Sequence, residues 1–353
     1  MKRAVLGLFA AACATTGASG EGDRELPTAG VGPFRELREE EVRGIAPFVL
    51  DAEAARYREP SAIQAGEETW LYAVASVSDR DVIVRTKATD GRTFHGTTTQ
   101  FGAKPRVVLE PDAPWEGGAL AGPGVIRLPS GELLLYYAAA GGIGVARSQD
   151  GVTFTKHPGN PVLVRDPAAA PWESTEVRAP APYALADGRI RLLYASGGSL
   201  GEAESGDGLS FRRLGVSPVL GPAPMPAPGS LLPNEKPPFD TASVDDPSAH
   251  PRTTPAGRFH LRVVYTGRDG SGGSTIGFAG RYGESGPLDR NLVAVYAAGQ
   301  GESAPTMVER SEGTFLYLEQ NKGTGARAYR AIAGAFAPAN VLLPPPSEFP
   351  DAP

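Results

Sequence analysis

The sequence is poor in the residues on which several functional classes depend. Its basic residues are scattered through a chain of net charge −6, with no basic stripe and no alternation of basic with aromatic residues, which argues against nucleic-acid binding. None of its few histidines lies at the spacing of a metal site. These histidines are His95, His157, His250 and His260. We therefore expect no metal, no cofactor and no nucleic-acid partner, and a monomer.

The sequence also lacks a long hydrophobic run, and it has a single cysteine. Lys2 and Arg3 precede a nine-residue apolar stretch, 4–12, that is too short to span a bilayer and ends at Cys13. This pattern resembles a bacterial lipoprotein signal, in which the cysteine becomes the acylated first residue, although Ala10 stands where that signal usually has leucine. It predicts a lipid-anchored protein of the cell envelope, periplasmic or on the surface. The alternative is cleavage at an Ala-x-Ala site and secretion.

The chain divides into four segments on this interpretation. Residues 1–12 form the signal peptide, and residues 13–44, polar and glycine-rich and then acidic, form a flexible tether. A single folded domain is predicted over 45–343, and a proline-rich tail over 344–353.

What the sequence has in quantity is a repeated motif in which a proline leads into an apolar stretch. The five prolines are Pro60, Pro123, Pro180, Pro247 and Pro305, spaced by 63, 57, 67 and 58 residues. A period of about sixty residues with several short strands in each unit indicates radial repetition of small sheets. The fold class predicted is all-β, a five-bladed β-propeller of four-stranded antiparallel blades.

Each repeat reads as four strands. The innermost strands are predicted at 60–64, 123–127, 180–185, 247–250 and 305–309. A second run, rich in aromatic and branched residues as strands are, follows at 70–74, 133–137, 190–194, 259–265 and 315–318. Asp-Gly pairs at 90–91, 150–151 and 207–208 suit hairpin turns. Either 47–50 or 340–343 must complete the last blade, and we favour 47–50.

Residues 144–154 and 159–163, which read GVARSQDGVTF and GNPVL, carry a family resemblance. They resemble the five-bladed glycoside hydrolases: the arabinanase and β-xylosidase family 43, the invertase-like family 32 and the mannoside phosphorylase family 130. The likeness covers about residues 45–335. The sialidase Asp-box does not fit, because Asp150 and Gly151 are adjacent.

The resemblance implies three carboxylates in the central funnel, placed before the inner-strand prolines of the first three blades. Here those positions hold Glu59, Gly122 and Arg178, and the acid nearest the third is Glu176. The family triad is therefore not intact. Glycoside hydrolysis needs at least two carboxyl groups, one protonated and one ionised. Our catalytic candidates are Glu59, Asp246 and Glu176.

Other residues are candidates for binding substrate. Trp115–Glu116 and Trp172–Glu173 place a tryptophan eight residues before a repeat proline, and a tryptophan beside a carboxylate makes a sugar platform. The alternative is that both tryptophans pack between blades. Four further charged residues lie within three positions of such a proline: Arg58, Arg178, Asp245 and Glu302. The alternative for both arginines is that they are buried partners for the acids. The alternative for Glu59 and Asp246 is that each is a structural cap on its inner strand.

Two functions of different class follow. The first is a glycoside hydrolase-like protein acting on an oligo- or polysaccharide with a degraded acid–base triad. The second is a non-catalytic glycan-binding propeller lipoprotein. A purely structural propeller is a third, because fold does not imply function. Two funnel carboxyl groups roughly 5–10 Å apart, one of them desolvated, would support hydrolysis, whereas a single acid paired with an arginine would support binding.

Overall fold

The computed structural model describes residues 32–37, 48–94, 105–231, 236–254 and 257–338. These residues form strands and turns, with two single-turn 3₁₀ helices at Pro114–Glu116 and Gly325–Arg327 and no α-helix. Across these ranges, no helix has the length and apolar character to cross a membrane. Cys13, the signal segment and the tail lie outside the described residues.

The first four blades each consist of four consecutive antiparallel strands. Blade one contains β3 (Arg58–Ala65), β4 (Glu68–Val77), β5 (Arg80–Ala88) and β6 (Arg106–Leu109). Blade two contains β7 (Ala121–Arg127), β8 (Leu133–Ala139), β9 (Gly142–Ser148) and β10 (Thr155–Lys156). Blade three contains β11 (Arg178–Ala184), β12 (Ile190–Ser196), β13 (Ser199–Ser205) and β14 (Arg212–Arg213). Blade four contains β15 (Ser243–Thr253), β16 (Phe259–Arg268), β17 (Ser274–Tyr282) and β18 (Asp289–Arg290).

The fifth blade joins the two ends of the folded chain. It contains β19 (Ser303–Arg310), β20 (Gly313–Lys322) and β21 (Tyr329–Pro338), and β21 pairs with β1 (Arg35–Glu36) and β2 (Phe48–Leu50). The predicted closure by residues 47–50 is confirmed for 48–50, while 340–343 lie outside the described residues. Strand β1 falls within the predicted tether, and its neighbours Phe34 and Leu37 are buried. Closure leaves β21 no open edge.

The five inner strands, β3, β7, β11, β15 and β19, contact one another around the axis, as predicted. Each has a shift of pairing register at its first residues, which is a β-bulge. In each the residue before the proline has a positive φ. The values are 52° at Glu59, 50° at Gly122, 49° at Ala179, 45° at Asp246 and 49° at Ala304. Four of the five are not glycine, so the ring imposes this conformation against ordinary steric preference. Bulges re-aim side chains, and these five begin the lining of the channel.

Tyrosine hydroxyls tie neighbouring blades together. Tyr72 Oη donates to the carbonyl of Gly151 at 2.9 Å, and Tyr136 Oη donates to that of Gly208 at 2.9 Å. Both acceptors belong to the predicted Asp-Gly turns of the following blade. The apolar side chains between the sheets form the core, so each blade depends on its neighbours for burial.

Candidate functional site

A cavity of about 200 Å³ lies on the axis where the inner strands begin. Its lining consists of the five prolines, the residue just before each of them, and Ala121, Ala138 and Arg178. Among these, the charged residues are Glu59, Arg178 and Asp246. The fold therefore brings together three of the predicted site residues, from blades one, three and four.

Glu59 is poorly solvated although part of its side chain, 29%, is exposed to the cavity. Its Oε2 accepts a hydrogen bond from the backbone amide of Gly122 at 2.5 Å, and its Oε1 lies 3.9 Å from Arg58 Nε. Burial raises the pKa of Glu59 to about 7. The charges of Glu319 and Asp246 raise this pKa further, whereas the Gly122 amide and the charge of Arg58 lower it. Near neutral pH this carboxyl therefore exists in both protonation states.

Asp246 has the opposite surroundings, since cationic and hydroxyl donors hold it. Its Oδ1 lies 3.4 Å from Arg178 Nη1, and its Oδ2 accepts a hydrogen bond from Thr266 Oγ1 at 3.0 Å. The same hydroxyl accepts the amide of Ala304 at 2.9 Å, which fixes the position of Thr266. Both carboxylate oxygens of Asp246 are therefore engaged by donors.

Asp245 lies behind Asp246 and does not line the cavity. It forms an ion pair with Arg178 and accepts the amide of Asp246 at 3.1 Å. Burial and the charge of Asp246 raise the pKa of Asp245 to about 6, against the lowering effect of Arg178. Arg178 therefore compensates two adjacent acids.

Neither Arg58 nor Glu176 lines the cavity. Arg58 forms an ion pair with Asp81 and donates to Ser76 Oγ at 3.1 Å, which fits the alternative that it is a partner for an acid. Glu176 is exposed on the loop before β11, so its predicted catalytic role has no support in the geometry.

Neither of the two Trp-Glu pairs lines the cavity, so their role in binding substrate stays a prediction. Trp115 packs on Tyr137 with ring centroids 5.8 Å apart, and Trp172 stacks on Tyr194 at 5.7 Å. Both tryptophans also pack against the apolar clusters between neighbouring blades, as the alternative interpretation had it.

The acids of these pairs, Glu116 and Glu173, are fully buried. Glu116 accepts from Tyr137 Oη at 2.8 Å and lies 2.7 Å from Lys156 Nζ. Glu302, the acid predicted on blade five, is fully buried too and accepts the amides of Ala298 and Gln300 at 3.0 and 2.8 Å. Enclosed carboxylates of this kind are inaccessible to a sugar.

The sequence predictions missed Thr266 and Glu319. Thr266 is buried in the apolar strand β16, and Glu319 accepts the amide of Glu59 at 3.1 Å through Oε2. An acid inside the apolar run of β20 was the one available signal, since buried acids need partners.

The other end of the channel is a larger cavity, about 430 Å³, lined by the later residues of the inner strands. Arg262 and Glu309 form an ion pair there, and burial and Arg262 lower the pKa of His250 to about 3. This end has one carboxylate, already paired, and so lacks the two carboxyl groups of the first cavity. Elsewhere in the described part of the chain, no group of three or more His, Cys, Asp or Glu side chains is placed to hold a metal.

Solved structures with a similar fold are numerous. A glycosyl hydrolase from Bacteroides ovatus superposes with a TM-score of 0.64 at 15% identity, covering 89% of this chain and 96% of that one. A structure from work on the family 130 mannoside phosphorylases and glycoside hydrolases gives 0.60 at 14%, covering 89% and 96%. A thermostable family 43 glycoside hydrolase gives 0.56 at 14%, covering 80% and 89%.

The fold is that of the five-bladed propeller glycoside hydrolases. The predicted resemblance is thereby confirmed at the level of architecture. Neither the protein-family models nor the curated proteins compared with this sequence gave a match. Identities of 10–15% among such structures carry the fold alone, so activity must be argued from the residues of the cavity.

Proposed function

We propose that the protein hydrolyses glycosidic bonds, with Glu59 as the proton donor and Asp246 as the ionised carboxylate. The observation that carries this proposal is that both side chains line one cavity in opposite electrostatic surroundings. A pair of carboxyls whose environments separate their protonation states is the arrangement that acid–base cleavage of a glycoside requires.

Each residue has a distinct part in the proposed reaction. The pKa of Glu59, raised to about 7, keeps a proton available for the leaving oxygen at neutral pH. Asp246, held by Arg178 and Thr266, faces the sugar as an anion that stabilises the developing positive charge or activates water. Arg178 forms an ion pair with each of Asp245 and Asp246 and so offsets the repulsion between them.

The arrangement differs from the family pattern that the sequence resembles. Gly122 and Arg178 occupy the second and third acid positions, so the partner of Glu59 comes from blade four instead. The cavity, about 200 Å³, is smaller than the roughly 300–1,000 Å³ typical of ligand pockets. It favours one terminal sugar ring over the interior of a long chain.

Glycan binding without cleavage is the second candidate. It is favoured by the contacts of Asp246, whose two oxygens are both engaged, one by Arg178 and one by Thr266. A carboxylate fixed in this way holds a sugar hydroxyl as readily as it assists catalysis.

Nitrophenyl glycosides and natural oligosaccharides, tested for hydrolysis beside glycan-array binding, separate the two candidates. Glu59→Gln keeps the shape and removes the titrating proton, and we expect it to lower turnover about a hundredfold while sparing sugar binding. Glu176→Gln is the control, because Glu176 is exposed and does not line the cavity. Binding with no turnover in the wild type would favour the second candidate.

We also propose that the protein is anchored in the cell envelope through acylated Cys13. The support is the sequence pattern alone: a charged start, a nine-residue apolar stretch and a lone cysteine at its end. Cys13→Ser should move the protein from the membrane fraction to the soluble fraction with an unchanged melting temperature. Unchanged partitioning of this variant would instead favour secretion.

A further inference from the structure

Blades two, three and four each hold one buried carboxylate in the same way. A tyrosine on the second strand donates a hydrogen bond to it, and a cation on the outermost strand forms an ion pair with it. The three sets are Glu116 with Tyr137 and Lys156, Glu173 with Tyr194 and Arg213, and Asp240 with Tyr265 and Arg290. Each cation lies opposite an alanine of the third strand: Ala146, Ala203 or Ala279.

Blade five replaces both partners. Its buried carboxylate is Glu302, whose Oε1 accepts two loop amides. Strand register places Glu36 of β1 opposite Ala335, which is the position of the cation in the other three blades. The tyrosine position is Leu318, the residue after Tyr317 in β20, just as Tyr137 follows Tyr136 in β8. A second carboxylate thus stands where a lysine or arginine is needed.

Three buried oxygens around this position have no hydrogen-bond partner among the described residues. They are Glu302 Oε2, Glu36 Oε1 and Gln320 Oε1. Glu302 and Gln320 are fully buried, and the Gln320 amide group donates to Tyr296 Oη at 3.2 Å. Burial and then the charges of Glu36 and Glu302 raise the pKa of Tyr296, so both acids lie close to that hydroxyl.

Such an arrangement is costly as it stands. A buried polar atom without a partner lowers the stability of the folded state, and a charged one lowers it further. Burial and the charge of Glu302 also raise the pKa of Glu36. In the other three blades a side-chain cation neutralises the buried carboxylate, although Asp240 Oδ1 also has no hydrogen-bond partner among the described residues.

We propose that a hard cation of the Ca²⁺ class binds between Glu36, Glu302 and Gln320, in place of the missing lysine or arginine. The three acceptors are all oxygens, two of them from carboxylates, and this is the donor set that such cations prefer. Backbone carbonyls and water complete the usual six to eight ligands. The bound ion would fasten β1 to blade five and so stabilise the closure of the ring.

The first experiment is calorimetric titration of the full chain with CaCl₂ after EDTA treatment, beside melting curves with and without Ca²⁺. We expect one site, and a melting temperature about 4 °C higher when Ca²⁺ exceeds its Kd about a hundredfold. Glu302→Gln and Glu36→Gln should each abolish the binding isotherm and the shift. Glu110→Gln, at an exposed acid paired with Arg80, is the control and should keep both.

Glu36→Lys keeps the proposal testable if the other variants fail to fold. It restores the lysine pattern of blade two, so it should melt higher than the EDTA-treated wild type and no longer respond to Ca²⁺. The proposal is overturned if Ca²⁺ neither binds nor shifts the melting curve.

Discussion

Glu173 and Glu59 are both carboxylates placed shortly before an inner strand or at its start, but their surroundings are opposite. Burial alone would raise the pKa of Glu173, but Arg213, the Asp166 amide and Tyr194 together bring it below its usual value. Glu59 receives one backbone amide and a distant arginine, and its pKa rises to about 7. Glu173 is therefore fully compensated between the blades, whereas Glu59 is incompletely compensated on the axis.

This difference shows how an acid in a propeller becomes functional. Where the sheets enclose a carboxylate, a complete set of donors is needed for the fold to be stable. On the axis, water and a ligand can reach the group, so an unsatisfied carboxyl is tolerated and retains a proton to transfer.

The largest expected effect on stability is at Glu173, the fully compensated acid. Glu173→Ala leaves Arg213 buried without its carboxylate partner and removes the acceptor of Tyr194. We expect a loss of about 3–5 kcal/mol in the free energy of unfolding, measured by urea denaturation. Sugar binding by the remaining folded protein should be unchanged. A loss of less than about 1 kcal/mol would show that this cluster is not structural.

The second effect concerns pH and Glu59. Its pKa is raised from about 4.5 in the unfolded chain to about 7 in the folded protein, so the folded state holds this proton more tightly. The stability contributed by that proton is present below about pH 4.5 and is lost as the pH rises through about 7. Glu59→Gln should therefore stabilise the protein at pH 8 by roughly 1–3 kcal/mol relative to pH 5. A pH-independent difference between the two proteins would contradict the raised pKa.

A smaller effect is expected at Arg178, which is half exposed. Arg178→Met removes the cation shared by Asp245 and Asp246, and the pKa of Asp245 should rise further above about 6. We expect a loss of about 1 kcal/mol at pH 8 and less at pH 5, where Asp245 is protonated. Equal losses at both pH values would indicate that Arg178 acts through packing.

The smallest effect is expected at Glu176. This side chain is exposed and has no ion pair among the described residues, so Glu176→Gln should change the free energy of unfolding by less than about 0.5 kcal/mol. Turnover should also be unchanged. A large loss of turnover would return Glu176 to the catalytic role predicted from sequence.

The repeat was readable because every blade needs the same strands and turns, so the five prolines and the Asp-Gly pairs recur. Closure by residues 48–50 was readable as well, since an unpaired outer strand remained to be placed. The role of Trp172 and Glu173 could not be predicted from the sequence, because their partners Tyr194 and Arg213 lie on later strands, distant in the chain. A tryptophan beside an acid gives the same sequence pattern whether the two side chains contact a sugar or pack in the core.

Glu59 and Asp246 could be selected from sequence because each directly precedes an inner-strand proline. Their different surroundings could not be predicted, since these depend on Arg178, Thr266 and Glu319 from three different blades.

The most direct test of the account is the pH dependence of kcat/KM, measured on the best substrate of the glycoside panel for the wild type and for Glu59→Gln. If Glu59 is the proton donor, kcat/KM of the wild type falls as the pH rises above about 7, where the acid loses its proton. In Glu59→Gln the residual activity should lack that descending limb. A wild-type rate that rises through pH 7, or a limb that persists in the variant, would contradict the assignment of Glu59.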